Sequence, residues 1–75
     1  MTHQMSTLDP SGDTTMNWDA SLPDEVEPAR AHFTAMRKKG YLAYRLDRDG
    51  NRGEVIREFN PEHERIMLTP PLAGG

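Results

Sequence analysis

The chain has 75 residues, room for one domain, because a chain of this size buries only about 60% of its unfolded surface and cannot divide that among separate cores. Its 35% hydrophobic content supports a lean core, its net charge of −3 disfavours general binding to nucleic acid, and the absence of cysteine excludes disulfides, thiolate metal sites and a cysteine nucleophile. No apolar run approaches the roughly 18 residues of a membrane span, and the first fifteen residues lack the basic and apolar stretches of a leader, so the expectation is a cytoplasmic protein without a membrane partner.

Residues 1–14 are rich in Ser, Thr, Asp, Pro and Gly with scattered apolar residues, a composition that does not offset the entropy of ordering, and they read as a flexible arm. Residues 15–69 read as the compact domain. Thr15 to Trp18 alternates, placing Met16 and Trp18 on one face as a short strand would. Asp19 to Pro23 is a turn. From Asp24 onward Val26, Ala29, Phe33 and Met36 recur at spacings of three and four, the signature of an amphipathic helix. Ser21 and Asp24 suit its N-cap, Asp24, Glu25 and Glu27 complement its positive end, and Arg37, Lys38 and Lys39 complement its negative end before Gly40 as the terminating glycine. Pro28 is tolerated in a first turn, which places the regular start at Glu25 to Glu27.

After Gly40 the period becomes two, with Leu42, Tyr44 and Leu46 on one face. Asp47 to Gly53 has turn chemistry, and Glu54 to Phe59 returns as the second strand of a hairpin. Asn60 to His63 is a further turn. Glu64 to Thr69 forms a third strand, with Ile66 and Leu68 sharing a face, and Pro70 and Pro71 end it because neither donates to a ladder. The fold class expected is α+β, one helix on an antiparallel sheet in the order βαβββ. Its core is expected to use the helix face with Leu42, Tyr44, Leu46, Val55 or Ile56, Phe59, Ile66 and Leu68.

The residues offer little for catalysis. Asp47, Asp49 and Asn51 alternate as in a calcium loop with Glu58 twelfth, but Arg52 stands where the sharp bend needs glycine, and a strand follows instead of a helix. His3, His32 and His63 share no ligand spacing, and no phosphate loop or nucleophile elbow exists, so no metal, no cofactor and no enzymatic activity are expected. Arg37, Lys38, Lys39, Arg45, Arg48 and Arg52, with Tyr41 and Tyr44, are better read as a solvated face than as a nucleic-acid patch, given the acidic balance.

The C-terminal residues 70–75 have a mechanical logic. Pro70 and Pro71 favour an extended stem, Leu72 offers an apolar anchor, and Gly74 and Gly75 remove the Cβ atoms that would obstruct entry to a narrow active site. A small α/β domain ending Leu72-Ala73-Gly74-Gly75 resembles ubiquitin-like modifiers and bacterial sulfur carriers, and more loosely the ends of ubiquitin-like segments in phage tail assembly proteins. The resemblance implies a reduced β-grasp fold, although that superfamily has two strands before its helix and only Met16 to Trp18 reads as one here, Gln4 to Leu8 being a poor second. It further implies a modifier or carrier whose Gly75 carboxylate is adenylated by an E1-like activating enzyme and passed to an E2-like or target protein. Gly74 is then its narrow neighbour, and Leu72 and Ala73 the stem read by the enzyme. Lys38 and Lys39 are the only lysines, so self-chains would be built on them, on a hydroxyl or on the N-terminal amine. Two other classes remain open: a phage or virion assembly protein, and a binding adaptor that uses a free sheet edge or the Tyr41 face.

Overall fold

The computed structural model describes residues 2–47, 49 and 51–71. The elements are β1 (Thr2–Thr7), β2 (Thr14–Asp19), α1 (Pro23–Lys38), β3 (Leu42–Leu46), β4 (Arg52–Ile56) and β5 (Arg65–Thr69). The five strands form one mixed sheet in the order β2-β1-β5-β3-β4, with β1 and β5 parallel and the other pairs antiparallel. The chain is therefore α+β as expected, but ββαβββ and mixed rather than βαβββ and antiparallel.

The first correction concerns the arm. Residues 2–7 are a strand held on both sides, by β2 through Met5↔Met16 and by β5 through Met5↔Ile66. His3, Met5 and Thr7 point inward and are buried, Met5 completely. Polar composition concealed a period of two, and pairing on both sides supplies the order that local propensity does not. Residues 2–7 therefore belong to the folded domain expected to start at residue 15. Met1 lies outside the described residues.

One sheet face packs on α1, whose Val26, Ala29 and Phe33 are buried as the periodicity predicts. Met5, Trp18, Ala43, Ile66 and Leu68 complete the core, with Met16, Met36, Tyr41, Ile56 and Phe59 against it. Trp18 links the parts. It stacks on His3 (centroids 5.6 Å apart), lies 5.2 Å from the Phe59 ring, and its Nε1–H donates to the Pro61 carbonyl at 3.0 Å. Phe59 in turn meets Phe33 at 5.7 Å.

The β3 face is inverted relative to expectation. Ala43 is fully buried while Leu42 is 42% exposed, so Leu42, Tyr44 and Leu46 line the sheet face away from α1. A period of two fixes which residues share a face but not which face is covered. The same register decides the Val55 or Ile56 alternative: Ile56, opposite Ala43, faces the core, and Val55, opposite Tyr44, is 51% exposed. The strand expected over Glu54 to Phe59 is shifted toward the turn. Between Tyr44 and Leu46 the register slips, with two steps of β3 facing three of β4. Gly53 sits in that irregularity, where a Cβ would stand 2.7 Å from the Arg45 carbonyl oxygen. Of the turn, Arg48 and Gly50 lie outside the described residues. Asp47 Oδ1 accepts from the backbone N–H of Asp49 and Asn51, both at 2.9 Å, giving the alternating acidic pattern a role in the turn.

The helix also starts earlier than expected. Leu22 is the N-cap and Pro23 takes the first helical position, leaving Pro28 inside the helix, where its missing N–H frees the Asp24 carbonyl. Both residues are exposed, so water satisfies that carbonyl. Neither Ser21 nor Asp24 caps through its side chain: Ser21 instead bonds Asp19 Oδ1, and Glu25 Oε1 reaches back to the Asp19 N–H at 2.9 Å. The other end follows expectation. Gly40 has φ +94°, its N–H bonds the Arg37 carbonyl, and the Tyr41 N–H bonds the Met36 carbonyl, the paired bonds of a Schellman terminus.

Candidate functional site

The C-terminal stem leaves from the centre of the sheet. β5 lies between β1 and β3, so Leu68 is paired on both sides, opposite Thr7 and Ala43, and Thr69 on one, opposite Leu42. The Leu8 N–H continues the ladder to the Leu68 carbonyl at 2.9 Å. Pro70 is half-buried and Pro71 exposed, and Pro71 runs past the helix terminus, where a Cβ added at Gly40 would stand 3.6 Å from the Pro71 Cβ. That distance is ordinary van der Waals contact, so glycine is favoured at position 40 by its positive φ and not by the passage of the stem.

Lys38 and Lys39 are exposed at this same end. Arg37 is not equivalent to them, because its guanidinium donates to the Tyr41 carbonyl at 2.7 Å and closes the helix terminus. Tyr41 does not offer a free binding face. Its ring packs against the core and its hydroxyl donates to Asp9 Oδ2 at 3.4 Å, tying the β1–β2 turn to the residue that begins the return from the helix. Hydrogen bonds from the Ser11 side chain and backbone lower the Asp9 pKa, with help from Tyr41 and the Lys39 charge, so the carboxylate stays ionised. Burial, then the Asp9 charge, raises the Tyr41 phenol and keeps it protonated as a donor.

Of the residues singled out in the sequence, Lys38 and Lys39 therefore stand beside the exit of the stem, whereas Leu72, Ala73, Gly74 and Gly75 lie outside the described residues. The Asp9 to Tyr41 tie escaped sequence reasoning. Its one available signal was the turn formed by Asp9, Pro10, Ser11 and Gly12, which marks a loop between two strands once Thr2–Thr7 is recognised.

The opposite end of the sheet carries a polar concavity of about 470 Å³ lined by His3, Asp19, Ser21, Glu62 and Glu64. His3 Nδ1–H donates to the His63 carbonyl at 2.7 Å, and Asp19 Oδ1 accepts from Ser21, so these groups fasten the β4–β5 connection and the entry to the helix. Among the described residues no group of histidines and carboxylates is arranged to hold a metal ion. The basic cluster is dispersed as well: Arg45 pairs with Glu54 at 3.3 Å and Arg37 closes the helix, while Arg48 lies outside the described residues. Among those residues no helix is long and apolar enough to cross a membrane. The chain matches no protein-family model, and neither curated proteins nor solved structures yielded a match.

Proposed function

We propose that the chain is a cytoplasmic ubiquitin-like modifier or carrier with a β-grasp fold, and that its chemistry resides in Gly75. The observation that supports this is where the stem begins: Pro70-Pro71 follows directly on the last residue of a central strand, and the sequence continues Leu72-Ala73-Gly74-Gly75. Two strands before the helix and three after it, with β1 and β5 parallel, support this reading of the fold. The domain is a handle and a reactant, and no residue of it is catalytic. An E1-like enzyme transfers AMP from ATP to the Gly75 carboxylate with release of pyrophosphate. An amine, hydroxyl or thiol of the E2-like or target protein then displaces AMP.

Deletion of Gly74 and Gly75 retracts the end by about 7 Å at 3.3–3.6 Å per residue, while changing stability by no more than about 0.5 kcal/mol. The test is mass spectrometry of source cells expressing tagged full-length or shortened protein. Adducts joined through Gly75 in the first and absent in the second are expected. Identical adducts from both forms, or none from either, refute the modifier function. The exposure of Leu42 and Val55 on the face away from α1 supports the second function, a small protein-binding adaptor, which predicts partner capture that is indifferent to the deletion.

A further inference from the structure

α1 places Arg30, Phe33 and Arg37 along one flank at spacings of three and four, and the segment after β4 brings Arg57, Glu58 and Phe59 against it. Between them is an open notch of about 310 Å³. Phe59, backed by Phe33, gives it an apolar floor. The Arg30 guanidinium lies 5.9 Å from the Phe59 ring centroid, stacked at the rim, and Arg37 spends one of its five N–H donors on the Tyr41 carbonyl. Three arginines thus line the notch with Glu58 as the single carboxylate of the lining, in a chain whose overall charge is −3. Complementarity to the helix terminus accounts for Arg37 but not for Arg30 in mid-helix or Arg57 outside the helix. Among the described residues neither Arg30 nor Arg57 is in an ion pair.

We propose that this notch binds a short acidic segment of a partner protein, with an apolar side chain on Phe59 and carboxylates on Arg30, Arg37 and Arg57. Charge complementarity selects the class of occupant. Nucleic acid would need a long basic track rather than one notch on an acidic chain, and a bare anion would leave the aromatic floor unused. Arginine suits carboxylates because its planar fork presents paired donors. The proposal uses none of residues 70–75 and stands or falls independently of the modifier function.

The test is fluorescence anisotropy of the full chain with a labelled peptide in which glutamates flank one leucine. Saturable binding that weakens as salt rises is expected. Arg57→Glu is expected to weaken it at least tenfold, about 1.4 kcal/mol, whereas Arg65→Glu, an equal charge change on the sheet face away from α1, leaves it unchanged. Arg30→Gln provides a second variant, and thermal melts establish that each remains folded. Equal losses from Arg57→Glu and Arg65→Glu overturn the proposal by reducing it to net charge. It is also overturned if the glutamine counterpart of the peptide binds as well, or if inorganic phosphate at equal concentration displaces the peptide. A concentration-dependent dimer in sedimentation that Arg57→Glu abolishes would assign the notch to a second copy and overturn the partner.

Discussion

Met5 provides the sharpest test of the N-terminal strand. It is fully buried, paired with Met16 on one side and Ile66 on the other, and Met5→Ala deletes a side chain where neighbouring strands prevent collapse of the space. Buried Met→Ala changes cost about 2–5 kcal/mol. At 0.05–0.15 kcal/mol per residue, the whole chain has only about 4–11 kcal/mol. With a urea slope of roughly 1 kcal/mol/M, the midpoint should fall by roughly 2 M or more, and a variant at the upper end would be largely unfolded in buffer. The neighbouring Gln4, half-buried on the opposite face, provides the control: Gln4→Ala is expected to cost less than about 1 kcal/mol. A flexible arm would make both substitutions silent. Coincident urea curves for the native chain and Met5→Ala would refute the strand and restore the arm.

Gly40→Val is expected to cost about 1–2 kcal/mol by calorimetry, because φ of +94° is strained for a residue with a Cβ; an unchanged melting temperature would refute the Schellman terminus. Gly53→Ala should cost about 1–3 kcal/mol, since the Arg45 carbonyl must move away from the new Cβ, and NMR shift changes should centre on the β3–β4 pair. His63 adds a pH dependence: burial, then the Arg45 charge, holds its pKa below the ordinary 6.5. The unfolded chain therefore takes up this proton first, so the contribution to stability is complete above about pH 6.5 and falls as pH drops through that value toward the folded pKa. Urea midpoints measured across this window should slope downward toward acid, and His63→Gln should flatten that slope. Asp9 and Asp19 act in a lower window, their lowered values giving stability that is present above about pH 3.8 and lost as their folded values are passed.

What could be read from the sequence was set by how strongly each segment's local signal agreed with its tertiary place. The helix was legible because Val26, Ala29 and Phe33 carry the period and Gly40 the stop, both local properties. β5 was legible because Ile66 and Leu68 alternate with residues on the other face and prolines close the run. β1 was not, because its inward residues are His3, Met5 and Thr7, only one of them strongly apolar, and their burial depends on partners seven to sixty-one residues away. The covered face of β3 was hidden for a related reason. Ala43 is the smallest of the alternating residues, and the larger Leu42 and Tyr44 drew the assignment to the wrong face. At the candidate site, Lys38 and Lys39 followed from the helix terminus, but the contact of Tyr41 with Asp9 joins residues 32 apart and leaves no local trace.

The misread strand and the proposed chemistry are physically connected. A reactant end must leave the domain from a fixed point, and a strand paired on one side only frays more readily than one paired on both. β5 is last in the chain yet central in the sheet, and it has that place because β1 pairs with it in parallel from Gln4↔Arg65 to Thr7↔Leu68. Without residues 2–7 β5 would become an edge, Ile66 and Leu68 would lose the neighbour that covers them, and the base of the stem would be held by β3 alone. The Leu8 N–H bonded to the Leu68 carbonyl carries this support to the last residues before Pro70. The point from which the stem leaves the sheet is therefore held by the strand at residues 2–7. A polar strand suffices there because its role is to complete the ladder on β5 while placing a single large apolar side chain, Met5, beneath the helix.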